Sequence, residues 1–282
     1  MEAISTQTEG QVIAIDGKTL RRSHDRVIGK EPIHMVSAWA TENGVVWGQI
    51  KTDEKSNEII AIPELLEMLM VEGCIITTDA MGCQKDIAEK IIEKQADYVL
   101  ALKGNQKIFY KDVKAFLDDE LKTGFKGTKY DHYRTVDKDH GRHEIRNYYI
   151  TNEIEWLYGK ENWKNLRSIG MAISERIINE ERTEERRYFI TSMEPEAERF
   201  GNAVRKHWGI ESFHWVLDMT FREDYSRSRK DYEAENLAVA RHMATNILKQ
   251  DKNSKMSIEK KRYKCALDTE YLEKVIFGGR YE

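Results

Sequence analysis

The sequence predicts an α/β protein built on a mixed sheet, and three observations carry that reading. Runs of β-forming residues near the amino terminus are joined by connections short enough to make antiparallel neighbours. A strand–helix–strand–helix–strand order follows, which implies parallel pairing. Farther along, alternating segments separated by polar turns read as more antiparallel strands before the chain becomes helical again.

Residues 11–16 form the first strand, an apolar run closed by Asp16, which opens the turn Asp16-Gly17-Lys18-Thr19. Residues 34–40 and 45–51 are the second and third strands. Thr41-Glu42-Asn43-Gly44 turns between them, because Asn-Gly tolerates the positive φ of tight hairpins. Ile59, Ile62, Leu65, Leu66 and Leu69 recur at helical spacing, and the helix is expected to start near Pro63, where proline suits a first turn. A strand over 74–79 ends in Asp79. A helix over 84–94 and a strand over 98–102 follow. Asp16 and Asp79 then stand at the ends of adjacent central strands, where open α/β sheets place ligands. Residues 109–121 read as a charged helix. The segments 130–136, 144–149, 166–175 and 186–191 read as antiparallel strands of a β-rich insertion. From Pro195 to about Lys249 the pattern is helical, with Asp231 placed to cap a helix through Ala234, Leu237, Val239, Ala240 and Met243. The expected organisation is a first core segment (1–106), the insertion (107–195), a second core segment (196–250) and a basic, peripheral tail (251–282).

The chain of 282 residues can bury a sizeable core, and 3 Pro and 17 Gly with no low-complexity segment argue against disorder. A formal charge of −4 excludes a globally basic nucleic-acid binder but leaves room for local basic surfaces. Residues 199–264 supply one, with 15 Lys/Arg against 9 Asp/Glu. No apolar run approaches the roughly 20 residues of a membrane span, and the amino terminus lacks the regions of a signal peptide, so a cytoplasmic location is expected. Cys74, Cys83 and Cys265 suggest neither a disulfide framework nor a zinc ribbon.

Three carboxylates carry the chemistry. Phe200, Val204, Trp208, Glu211 and Trp215 follow one another at spacings of four, four, three and four, so Glu211 is expected to face inward among aromatics. There its charge needs a metal, a hydrogen-bond network or an arginine such as Arg205. Asp16 alone reads as turn chemistry and Asp79 alone as a helix cap; together with Glu211 they supply hard oxygen ligands on rigid elements. Asp218, two turns beyond Glu211, is expected in a salt bridge. Lys18, Arg21 and Arg22 either contact phosphates or solvate a loop. Arg227, Arg229 and Lys230, with Arg205, are the candidates for DNA backbone contact. His132, His140 and His143 read as strand and turn residues, since no cysteine pair completes a zinc set. Cys83 reads as a small residue at a helix start. Trp208 and Trp215 read as core or as stacking surfaces for bases.

The segments Ala14-Ile15-Asp16-Gly17-Lys18-Thr19, Thr78-Asp79-Ala80, Leu102-Lys103-Gly104-Asn105-Gln106, His140-Gly141-Arg142, His207-Trp208-Gly209-Ile210-Glu211 and Leu217-Asp218 with Phe221, Glu223 and Asp224 resemble, in this order and spacing, bacterial insertion-sequence transposases of the Asp–Asp–Glu class. The resemblance spans about Val12 to Gln250. It implies a ribonuclease-H-like mixed sheet flanked by helices, with a β-rich insertion between the fifth strand and the C-terminal catalytic helix. It also implies Asp16, Asp79 and Glu211 as catalytic triad and metal ligands. Two Mg2+ ions about 3.5–4 Å apart, with Mn2+ able to substitute, would serve cleavage at transposon ends and strand transfer to target DNA. DNA is the implied partner, with a homodimer formed on it. Related groups carry Tyr and Arg before the glutamate and a basic residue seven positions after it; Trp208 and Asp218 stand near or at those places, so those phosphate-binding roles are not carried over. The chain reaches Asp16 almost at once, which suggests an amino-terminally shortened copy or a catalytic-core fragment. An inactive remnant that binds DNA without cutting is the alternative. A sugar-kinase-like phosphotransferase needs a second glycine-rich phosphate loop that the sequence lacks.

Overall fold

In the computed structural model, which describes residues 10–25, 29–52, 57–139, 142–179 and 181–277, the amino-terminal strands form the expected meander. β1 (Val12–Thr19) pairs antiparallel with β2 (His34–Ala40), and β2 with β3 (Val45–Lys51). On the other side of β1 lie β4 (Ile75–Thr78) and then β5 (Asp97–Leu102), each parallel to its predecessor. The crossovers are α1 (Glu58–Met68) and α2 (Lys85–Glu93). After α3 (Lys107–Thr123) come β6 (Asp131–Asp139), β7 (Arg142–Thr151), β8 (Ser168–Ile178) and β9 (Glu181–Thr191). These pair antiparallel in turn, and β9 closes onto β5. The β-rich segment therefore continues the core sheet, in the order β3-β2-β1-β4-β5-β9-β8-β7-β6. The chain ends in α4 (Ala197–His207), α5 (Gly209–Met219), α6 (Glu233–Gln250), α7 (Ile258–Leu267) and α8 (Thr269–Phe277). This is a mixed α/β architecture of the ribonuclease-H-like kind.

The apolar runs of β1, β2 and β4 are explained by helices on both faces of the sheet. Ile13, Ile15, Val36 and Ala38 pack with α1, α2 and α3 through Ile62, Leu65, Ile87 and Val113. Val12 and Ile75 pack with Phe200 and Ala203 of α4 on the opposite face, and Ala14 and Trp39 with Ile210, Phe213 and Leu217 of α5. No helix among the described residues is long and apolar enough to cross a membrane.

Four local expectations are corrected. Asp16-Gly17-Lys18-Thr19 is no turn: Gly17 pairs with Val36 and Lys18 with Met35, so β1 runs on to Thr19. The ladder with β2 outweighs the local turn preference of Asp-Gly. α1 starts five residues before Pro63, because Asn57 Oδ1 accepts the Ile59 N–H at 3.0 Å and caps it there. Pro63 forfeits one backbone bond inside the helix, which the burial of Ile62, Leu65 and Leu66 offsets. Asp231 does not cap α6, since it adopts φ 45° in the turn before Tyr232, the N-cap residue. The segment after Lys252 folds into α7 and α8 and is anchored: Lys261, 4% exposed, donates to the Leu248 and Asp251 carbonyls at 3.1 and 2.5 Å.

α4 lies unusually close to the sheet. A Cβ at Gly201 would fall 2.7 Å from the Tyr148 ring of β7, and one at Gly170 of β8 2.6 Å from the Phe200 ring. Gly201→Val should therefore destabilise the protein by about 1–3 kcal/mol through overpacking, measured by urea denaturation. Unchanged stability would mean that α4 is not locked against β7.

Candidate active site

Strand register brings the two aspartates together. Ile15 of β1 stands beside Thr78 of β4, so Asp16 and Asp79, each the next residue, meet at one end of the sheet. Asp79 is oriented by the turn behind it: its Oδ1 accepts from the Met81 and Gly82 amides at 2.8 and 3.3 Å. It does not cap α2, whose N-cap residue is Gln84. Cys83 is fully buried just before that helix, and burial pushes its thiol up, away from reactivity.

A third carboxylate arrives that sequence reasoning missed. Glu58, in the first turn of α1, reaches across β1 over Gly17, where any Cβ would collide with the Glu58 carboxylate and the His34 ring. His34 Nε2 lies 2.7 Å from Glu58 Oε1, and its Nδ1 lies 2.8 Å from Thr19 Oγ1. One oxygen from each of Asp16, Glu58 and Asp79 lies within 4.8 Å of the others. An acidic residue in a first helical turn is too ordinary to stand out. The available signal was Gly17, because glycine inside a strand marks a close approach.

Glu211 lies in the same cleft as Asp16 and Asp79, outside the group that converges within 4.8 Å. It does not face inward as expected. The helix breaks at Trp208, where Gly209 lets α5 approach β2 so closely that a Cβ would lie 3.0 Å from Trp39 Nε1. The break shifts the helical phase. Phe200 and Val204 stay buried, whereas Glu211 is exposed and Trp215 is 62% exposed. The buried face of α5 is Ile210, Phe213 and Leu217, with Phe213 stacked 4.8 Å from Trp39.

The electrostatics are those of crowded carboxylates. Burial, then Glu58, raises Asp16 to about 7; Asp79 and Glu211 add to this, and the Gly17 amide opposes it. Partial desolvation in the cleft also raises Glu211, against the pull of Arg187. Arg187 comes from β9, lines the cleft, and holds its guanidinium 4.3 Å over the Trp208 ring, with Nε donating to Glu185 at 2.8 Å. It too escaped the sequence reading, since one arginine in a charged strand carries no signal. His207 Nδ1 lies 2.9 Å from Thr77 Oγ1 and His214 Nδ1 3.7 Å from Asp16 Oδ2. Burial lowers both imidazoles to about 4, so near neutral pH they leave the carboxylate charge uncompensated. Hard oxygen donors crowded in this way fit a divalent cation.

The basic candidates divide. Lys18 is 10% exposed and ringed by Asp218, Asp224 and Glu223 at 2.8, 3.0 and 3.5 Å, and Arg21 pairs with Asp224 at 3.2 Å. Arg22 stacks 5.3 Å over Tyr225, and Arg229 Nε donates to the Arg22 carbonyl at 3.3 Å. The structure thus sets Arg22 and Arg229 side by side, with Arg227 and Lys230 exposed on the same loop. Arg205 lines a second cavity next to the cleft with Arg146, Arg176 and Arg187. His132 of β6 stacks 4.5 Å from Tyr149 of β7 and His143 is exposed on β7, while His140 and Gly141 lie outside the described residues. Neither His132 nor His143 joins a metal-ligand cluster among the described residues.

Comparison with known proteins gives the family. The family model described as "Transposase DDE domain" matches residues 7–247. The chain is similar to "Putative transposase YncI" of Escherichia coli O157:H7, with 45% identity over 95% of this chain and 70% of that protein. It is also similar to "H repeat-associated putative transposase YhhI" of Escherichia coli (strain K12), with 44% identity over 99% of this chain and 75% of that protein.

The raised Asp16 makes the metal-free protein sensitive to alkali. Its stabilising contribution is fully present below the unfolded value, near 4, and is lost as pH rises through about 7. Asp16→Asn should remove that loss. The stabilisation it confers in EDTA should be about 1–3 kcal/mol larger at pH 8 than at pH 4.5 by denaturant unfolding. An equal effect at both pH values would contradict the burial of this charge.

Proposed function

The chain belongs to the transposase DDE domain family, and from that premise we propose that Asp16, Asp79 and Glu211, with Glu58 beside them, form the metal-dependent centre of a transposase that cuts DNA at transposon ends and joins it to target DNA. The observation that supports this reading is the convergence of Asp16, Glu58 and Asp79 at one end of two parallel strands, in a cleft that Glu211 also lines. An intact carboxylate set favours this over a remnant that only binds DNA.

Divalent cations held by these carboxylates would supply Lewis acidity to the attacking water or 3′-hydroxyl and to the leaving 3′-oxygen. The rest falls to the chain. Asp16, flanked by the other carboxylates, would hold the cations together with them. Asp79 is held in position by its two amide hydrogen bonds, and Glu58 and Glu211 complete the set from α1 and α5. Arg187 places a positive charge in the cleft for the scissile phosphate. His207 and His214, neutral and largely buried, fill the wall behind the aspartates and exclude water. No covalent bond to the protein is required. Arg22, Arg227, Arg229 and Lys230 offer backbone contacts beside the cleft, and Arg205 offers one from the adjoining cavity. Pairing of two ends by a homodimer on DNA belongs to the same proposal.

Asp79→Ala should lower Mg2+-dependent nicking of transposon-end DNA by at least about 100-fold while DNA affinity stays within a few-fold of the parent, measured by gel nicking and fluorescence anisotropy. Undiminished nicking by this variant would overturn the assignment.

A further inference from the structure

We propose that Lys18 is a positioning residue: the ion cluster around it pins α5, which carries Glu211, to β1, which carries Asp16, and so sets the gap between those carboxylates. The importance of that gap rests on the proposed function; the clamp itself stands on geometry.

Asp16 and Lys18 are two residues apart in a strand and so share one side of β1. Glu211 and Asp218 are seven residues apart in α5, two turns along nearly the same face. The Lys18–Asp218 pair at 2.8 Å therefore joins the strand and the helix just beyond the cleft. Two further carboxylates close on the ammonium. Arg222 turns the chain in the left-handed region, at φ 51° and ψ 42°, and this brings Asp224 and Glu223 back to 3.0 and 3.5 Å from Lys18 Nζ. Glu223 is 1% exposed, and its other oxygen lies 3.5 Å from Arg241 of α6. Arg21 meets Asp224 at 3.2 Å. Lys18, Arg21 and Arg241 thus face Asp218, Glu223 and Asp224, and this balance is what makes a buried cluster tolerable.

The apolar part of the α5 contact is the stripe of Ile210, Phe213 and Leu217, and apolar burial is non-directional. Ion pairs with fixed geometry supply the directional stop that keeps the helix from sliding or rolling on the sheet. The arrangement also gives a common role to Lys18, Asp218, Glu223 and Asp224, which the metal centre leaves unused. A lysine ringed by three carboxylates is withdrawn from phosphate.

The test is hydrogen exchange by mass spectrometry on the full chain, compared for the parent, Asp218→Asn, Lys18→Met, Lys18→Arg and the double variant Lys18→Met/Asp218→Asn. Exchange of α5 amides should rise about 10-fold or more in Asp218→Asn, Lys18→Met and the double variant, while α4 stays unchanged and Lys18→Arg retains most of the protection. If Lys18→Met fails to fold, Asp218→Asn and the balanced double variant still decide. In nicking at saturating DNA, both single variants should lose about 10–100-fold in rate with DNA affinity within about 2-fold of the parent, although they change the net charge in opposite directions. Unchanged α5 exchange in all variants would overturn the proposal. So would weaker DNA binding by Lys18→Met and tighter binding by Asp218→Asn, the signature of a phosphate contact. A parent without nicking activity would sink the proposed function, and α5 exchange would still decide the clamp.

Discussion

The arrangement of this end of the sheet follows from placing Asp16 in a largely buried position beside other carboxylates. Burial alone would drive the group to its neutral form, and Glu58, Asp79 and Glu211 push the same way. A site of that kind is poised for a hard cation. The surroundings are consistent with that demand. Gly17 leaves room for Glu58, the Met81 and Gly82 amides fix Asp79, and the nearby imidazoles stay neutral.

One side of β1 carries two opposite solutions to buried charge. Around Lys18, three carboxylates meet three cations and the charges balance within the protein. Around Asp16, two residues away, carboxylates accumulate, with Arg187 among the cations that line the cleft. The balanced cluster suits a structural role and the unbalanced one suits a ligand. β1, β4, α1 and α5 each deliver one carboxylate, so the centre exists only when strand pairing and helix docking are complete. β9, the inserted strand next to β5, contributes Arg187, which gives the inserted strands a stake in the cleft.

The sheet from β1 to β5 was legible because its strands are apolar runs with short or helical connections, and that order forces the aspartates into register. What escaped was non-local. Asp16-Gly17 looks like a turn until the β2 ladder is counted. A helical projection that puts Glu211 inward assumes an unbroken helix, and the break at Trp208 lies where Gly209 meets Trp39, a residue far away in sequence. Glu58 and Arg187 are ordinary charged residues in ordinary places, and only the packing of α1 over Gly17 and of β9 beside β5 gives them a role. Asp218 pairs with Lys18, far away in sequence, so the partner of the expected salt bridge could be named only from the fold.

The most direct measurement is a crystal structure grown with Mn2+ and read by anomalous scattering. The account predicts manganese bound between Asp16 and Asp79, with at least one of Glu58 and Glu211 in its coordination sphere. Manganese bound elsewhere, with Asp16 and Asp79 unliganded at saturating metal, would contradict it.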